Sequence, residues 1–238
     1  MRLRRFVRWM SRGSTTPSLF VAQDGREWVV KPCGRTFRDG LVEVVSSRLA
    51  VQFGIATPPT DLFDVSEGLL AAMGAVDDDL RALAQAFERG GRMAFGSLLC
   101  PGVDWVSGQH LAGGEREKLG NMWIFDQWIA NADRRPDNPN LILSDRRLLA
   151  IDHAQGLPWL NAEAPRPAPH VRDALGIDPE VLRAEAAGRA ALLPFADVSR
   201  VRAAMGDVPA AWAHPDELDT LADVLAARAR ALAMEPIG

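Results

Sequence analysis

Tyrosine is absent from this sequence, cysteine occurs twice and histidine four times. Two cysteines, Cys33 and Cys100, do not make a disulfide framework, so nothing points to an oxidising compartment. His110, His153, His170 and His214 fall in no CxxC, HxxxH or HExxH arrangement, which argues against a structural zinc site. No run of about 18 apolar residues is present to span a bilayer. The basic start, MRLRRFVRWMSR, lacks the apolar core of a secretory signal. The expectation is a soluble, cytoplasmic protein with no membrane association. A net charge of −4 gives no global attraction to nucleic acid, so no direct nucleic-acid binding is expected. The N-terminal arginines read as a solvated strand face. No internal repeat or low-complexity segment is visible.

What is present is ordinary globular material. Of the 238 residues, 47% are hydrophobic and 24% charged, enough for one large domain or two small lobes without staples. The first third reads as strands: one over Arg4–Met10, then a hairpin, SLFVAQ-DG-REWVVK. Asp24-Gly25 suits a type I′ turn there. Helical spacing of Leu41, Val44, Val45, Leu49 and Phe53 predicts a helix from Asp39 to Gly54. ATPPTDLFDV breaks it and enters a strand. The remainder reads mainly as helix, over Asp77–Glu88, Glu115–Ala130, Pro179–Leu192 and Asp216–Met234. One hairpin, NLILS-DRR-LLAID, interrupts it, and Pro158–His170 reads as loop. Strands with one helix followed by helices with one embedded hairpin predict an α+β fold in two lobes. The boundary falls near residues 96–114, where FGSLLCPG and AGG interrupt the pattern.

The stretch NADRRPDNPNLILSDRRLLAIDHAQ, Asn131 to Gln155, concentrates carboxylates and amides around that hairpin. With Asp145–Arg147 as the turn, Asn140 lies roughly opposite Asp152, and Asp133, Asn138 and Asp152 approach one point. Oxygen donors at one point suit a hard cation such as Mg²⁺, usually held by one or two carboxylates plus substrate phosphates. A kinase needs this set: an Asp for the accepting hydroxyl, then an Asn and an Asp for metal. Asp133 and Asn138 carry the protein-kinase spacing between base and Asn. Lys31 ends a strand where a phosphate-binding lysine is needed, and Glu43 opens the next helix where it could orient that lysine. The loop SRGSTTP precedes the hairpin, where a phosphate-covering loop belongs. Around these, Asn131 is expected to brace the loop, Arg134 or Arg135 to offset phosphate charge, His153 to contact phosphate or brace the loop, and Asp137 to assist a second metal.

These segments resemble the HipA-like serine/threonine kinases in their short form. The matching stretches are VVKP at Val29–Pro32, the helix around Glu43, LAVQFGIATPP at Leu49–Pro59, FGSLL at Phe95–Leu99, NADRRPDNPNLIL at Asn131–Leu143 and LLAIDHAQ at Leu148–Gln155. The resemblance covers nearly the whole chain. It implies a two-lobed protein-kinase-like fold, one domain over residues 1–238 with an N-lobe of about 1–100 and a C-lobe of about 101–238, and ATP in the cleft. It assigns Asp133 as base, Asn138 and Asp152 as Mg²⁺ ligands, Lys31 as the phosphate-binding lysine, and Gly13, Ser14 and Thr15 as the phosphate loop. Asp152-His153-Ala154 stands where ordinary kinases carry DFG. The expected acceptor is a Ser or Thr hydroxyl of a protein. A neutralising partner protein follows by family association only. Two alternatives stay open: a small-molecule or lipid kinase, since fold does not set the acceptor, and a non-catalytic nucleotide-binding module.

Overall fold

The computed structural model describes residues 1–10, 17–33, 38–106, 109–111, 113–157, 175–176 and 187–235. Five strands pair into an antiparallel sheet: β1 (Leu3–Trp9), β2 (Ser18–Ala22), β3 (Glu27–Pro32), β4 (Thr60–Asp64) and β5 (Met93–Leu98). The strand order is β1-β2-β3-β5-β4. Contacts divide the chain into two units. Unit 1 holds Met1–Val44, Pro58–Cys100 and Val208–His214; unit 2 holds Val45–Thr57, Pro101–Asp207 and Pro215–Gly238.

In unit 1 the period-2 geometry of β3 sorts its side chains. Trp28 and Val30 point to one face and pack with Phe20, Phe63 and Ala94. That face is covered by α2 (Glu67–Gly74) and α3 (Asp78–Arg89). In α3, Leu80, Leu83, Ala84 and Phe87 recur at helical spacing and form its buried stripe. Lys31 falls on the opposite face of β3, away from this core. The hairpin turn between β2 and β3 is not the expected type I′. Only Gly25 has positive φ (79°). Gly25 N–H donates to Ala22 O (3.0 Å) and Ala22 N–H to Arg26 O (3.0 Å), the pattern of a three-residue loop with a left-handed glycine. The Asp24 carboxylate stays at negative φ and accepts from Arg26 N–H (3.0 Å) and Nε (2.7 Å).

The strand β5 was hidden by its glycine. It pairs with both β3 and β4, so FGSLL lies inside the sheet and does not mark an interruption. A Cβ on Gly96 would sit 2.6 Å from Phe63 Cε2. Phe63 is fully buried and stacks edge-on against Trp28 at 4.9 Å, so it has little room to yield. Gly96→Ala should therefore destabilise the protein by about 1–3 kcal/mol through overpacking, read by urea denaturation; an unchanged midpoint would contradict this packing account. The helix α3 matches the one expected over Asp77–Glu88, and α2 is additional.

The helix α1 (Arg38–Gln52) is buried along most of its length, including Leu41, Val44, Val45 and Leu49. Its first turn comes so close to β3 that a Cβ on Gly40 would lie 1.7 Å from Cys33 Sγ. Gly54, at φ 87°, ends it.

Unit 2 is built on α4 (Glu117–Ile129), which is also buried almost all round. Phe53, Phe125, Trp128 and Phe195 cluster with ring centroids 4.8–6.2 Å apart. Two further helices, α5 (Val198–Met205) and α6 (Pro215–Met234), complete its described helical part, with residues 187–191 also helical. Arg228 of α6 donates to Trp128 O (2.9 Å) and Gln127 O (2.6 Å), satisfying carbonyls that the end of α4 leaves open. A three-stranded sheet contains β6 (Val103–Asp104), β7 (Leu141–Ser144) and β8 (Arg147–Ala150). The β7–β8 turn has two residues, not three. Asp145 and Arg146 both take positive φ (48° and 65°), and Ser144 pairs with Arg147. The register therefore shifts by one from the expected pairing: Ile151, not Asp152, bonds to Asn140. The expected helix over Pro179–Leu192 lies mostly outside the described residues, as does the expected loop at Pro158–His170.

Candidate active site

Two groups of expected site residues are placed by the fold, one in each unit. In unit 1, Lys31 Nζ donates to Glu43 Oε1 at 2.6 Å. Both residues are buried, at 7% and 3% exposure. Strand alternation turns Lys31 away from the aromatic core, and the close approach at Gly40 brings Glu43 within reach one helical turn later. A buried ion pair is weak evidence for stability, because desolvating two charges offsets their attraction. Replacing the pair by apolar side chains, Lys31→Met with Glu43→Leu, should leave stability unchanged or raise it by about 1–4 kcal/mol. Urea denaturation reads the change, and a large loss of stability would make the pair structural.

In unit 2 the loop after α4 carries Asn131, Asp133 and Asn138. The helix exits through Ala130 in the left-handed conformation (φ 55°). Asn131 is fully buried; its Nδ2 donates to Asp126 Oδ1 (2.9 Å), and its Oδ1 accepts from Asp133 N–H (3.3 Å). It thus braces the loop at its base. Asp133 is half-buried, and its Oδ2 accepts from Asn140 Nδ2 at 3.3 Å. Asn138 is exposed at the end of a tight turn closed by Arg135 N–H to Asn138 O (3.1 Å) and Asn138 N–H to Arg135 O (3.0 Å). Asp152 is half-buried just past β8 and holds φ at 53°, a region that Asp and Asn enter more readily than most residues.

Asn140 connects these parts. Its side chain holds Asp133, and its carbonyl accepts from Ile151 N–H at 3.0 Å, the residue before Asp152. One asparagine therefore links the Asp133 carboxylate to the backbone just before Asp152. The donors Asp133, Asn138 and Asp152 are all oxygen donors. Among the described residues no group of three His, Cys, Asp or Glu side chains forms a metal site by itself. An amide with one or two carboxylates fits the way Mg²⁺ is bound when phosphates supply the remaining oxygens.

Arg134 differs from expectation, and His153 takes the second of its two expected roles. Arg134 is fully buried and faces the interior, so it does not offset phosphate charge. Its Nε donates to Asp126 Oδ2 at 2.5 Å and its Nη1 to Pro139 O (2.9 Å) and Asn140 O (3.0 Å). Its Nη2 lies 3.4 Å from His153 Nε2. A guanidinium can only donate, so this contact is a hydrogen bond when that ring nitrogen is the unprotonated one. His153 is buried against Phe125, with centroids 5.8 Å apart, and braces the segment; it is not exposed to meet phosphate. Asp126 was missed by sequence reasoning. Burial raises its carboxyl above the ordinary value, opposed by Arg134 and the Asn131 amide. The available signal was a carboxylate inside the apolar run WIFDQWI, which is costly unless it is paired. Asp137 is exposed beside Arg135, at 3.6 Å. Gly13, Ser14 and Thr15 lie outside the described residues.

The comparisons with known proteins bear on the family and the fold. The sequence matches the family model for HipA-like kinases over residues 3–232. No curated protein matches it. Among solved structures, it resembles the Helicobacter pylori proinflammatory kinase CtkA with a TM-score of 0.61 and 10% identity, covering 98% of this chain and 96% of that one. It also resembles the Golgi casein kinase with Mn/ADP bound, with a TM-score of 0.52 and 12% identity over 98% and 73% of the two chains. A second structure of that casein kinase gives a TM-score of 0.56 and 12% identity over 98% and 71%. At these identities the structural likeness is one of fold: α+β and protein-kinase-like. With nearly its whole length matched in sequence, the chain belongs to the HipA-like kinases and is a kinase.

Proposed function

We propose that the protein transfers the γ-phosphate of ATP to a Ser or Thr hydroxyl of a protein, with Mg²⁺, and that its two units are the lobes of one catalytic domain. Lys31, oriented by Glu43, meets the nucleotide phosphates. Asn138 and Asp152 hold the metal, whose charge neutralises phosphate oxygens when bound. Asp133 accepts the proton of the incoming hydroxyl. The hydroxyl oxygen forms the new bond to the γ-phosphorus, the bond to the β–γ bridging oxygen breaks, and ADP leaves. Positioning and electrostatics supply most of the rate in such transfers.

The observation that carries this reading is the buried Lys31–Glu43 pair at 2.6 Å. It is the arrangement a kinase uses to aim a lysine at phosphate, and it stands on a strand and a helix of a kinase-like fold. The bound Mn/ADP and the acceptor in the name of the casein kinase support a divalent metal, a nucleotide and a protein acceptor.

Calorimetric titration with ATP, with and without Mg²⁺, tests the assignment. The wild-type protein should bind ATP more tightly when Mg²⁺ is present, and Asp152→Ala should lose that dependence. Wild-type protein that fails to bind ATP under either condition overturns the function, and an Asp152→Ala protein that keeps the full Mg²⁺ effect overturns the ligand assignment.

A further inference from the structure

We infer that Arg134 is a positioning residue for catalysis, fixing the Asp133–Asn138 loop and the Asp152 segment in one geometry. The inference rests on the function proposed above. Its ground is that one fully buried guanidinium contacts every segment that carries chemistry in unit 2. It is part of the loop itself, next to Asp133. It holds Asp126 at the end of α4, from which Asn131 also takes its orientation. It holds the carbonyls of Pro139 and Asn140, where the loop bearing Asn138 returns to β7. It meets His153, the neighbour of Asp152.

A buried Asp–Arg pair is often matched or exceeded in stability by apolar side chains of similar volume, so the pair by itself is weak evidence for a role in stability. Apolar side chains cannot hold four acceptors lying in different directions. Lysine cannot either: its three donors radiate from one nitrogen, whereas the guanidinium spreads five across a rigid plane. The residue present is the one whose shape matches the geometry to be held. Groups that orient metal ligands in this indirect way typically change metal affinity or activity by about 10–100-fold when altered.

Arg134→Lys keeps the charge and loses the fork. Two quantities are measured on this variant and on wild type: the affinity for Mn²⁺ in the presence of ADP, by electron paramagnetic resonance, and kcat per ADP-binding site. The expected result is a Mn²⁺ affinity weakened by about 10–100-fold and a comparable fall in kcat, with metal-free ADP affinity unchanged. A merely structural role would lower the number of ADP-binding sites and leave both quantities per site intact. Values within twofold of wild type would overturn the inference. Should Arg134→Lys not fold, His153→Ala removes the link toward Asp152 together with the ring contact to Phe125. Weakened Mn²⁺ affinity in that protein supports the inference, and wild-type affinity overturns it. Wild-type protein that neither binds Mn²⁺ with ADP nor transfers phosphate sinks the proposed function and this inference together. An active wild type beside an equally active Arg134→Lys sinks the inference alone.

Discussion

Asp133→Asn should bind ATP and transfer almost no phosphate. The substitution keeps the size and shape of the side chain and removes its ability to take a proton. The Asn140 amide that donates to Asp133 Oδ2 at 3.3 Å can donate equally to an asparagine oxygen, so the loop keeps its form. Asp133 is half-buried and not fully enclosed, which leaves it accessible to a hydroxyl from outside. A positioned general base is worth about 10²–10⁴-fold in rate, and a drop of that size in kcat is expected. Nucleotide affinity should stay within about threefold, because less than 1 kcal/mol of binding energy is at stake. Single-turnover transfer measured beside ATP binding separates the two. Activity above a tenth of wild type would remove Asp133 as the base, and lost nucleotide binding would give it a different role.

The largest effect on stability belongs to Asp126→Ala. Its carboxylate and the Arg134 guanidinium are both fully buried, at 2.5 Å. Removing one partner leaves an uncompensated charge in the interior, which costs about 3–5 kcal/mol. The Asn131 side-chain amide loses its acceptor at the same time. A loss of this size is a large part of a typical total of about 5–15 kcal/mol, and should lower the Tm by about 10 °C for a chain of this length. Arg135→Ala, one residue along the same loop, provides the contrast. Arg135 is 58% exposed at its side chain, and its Asp137 partner is 79% exposed, so water and salt screen the pair. Its Tm should not move measurably. Thermal denaturation of both proteins followed by circular dichroism checks the pair of expectations. Equal shifts would mean that burial does not distinguish the two ion pairs.

The contrast between these neighbours shows where sequence reasoning reaches its end. Spacing carried the candidate assignment: Asp133, Asn138 and Asp152 could be selected because residue type and separation are visible in a string of letters. Lys31 and Glu43 could be matched because strand end and helix start were both legible from periodicity, and the fold brings them to 2.6 Å. Burial is set by packing against distant segments, so two adjacent arginines look alike in sequence and have opposite environments in the fold. The β7–β8 turn failed for another reason. It places Asp145 and Arg146 in left-handed conformations that usually call for Asn or Gly, so the letters misled by one residue and moved the register with them. β5 was obscured because Gly96 looks like a break, although the fold needs it for the close approach of Phe63.

The most direct test is incubation of purified protein with γ-labelled ATP and Mg²⁺, alone and with cell lysate, beside Asp152→Ala. Label transferred to protein by wild type and absent with the variant is the predicted result. No transfer from wild type to any protein, with ATP binding intact, would contradict a protein-directed kinase.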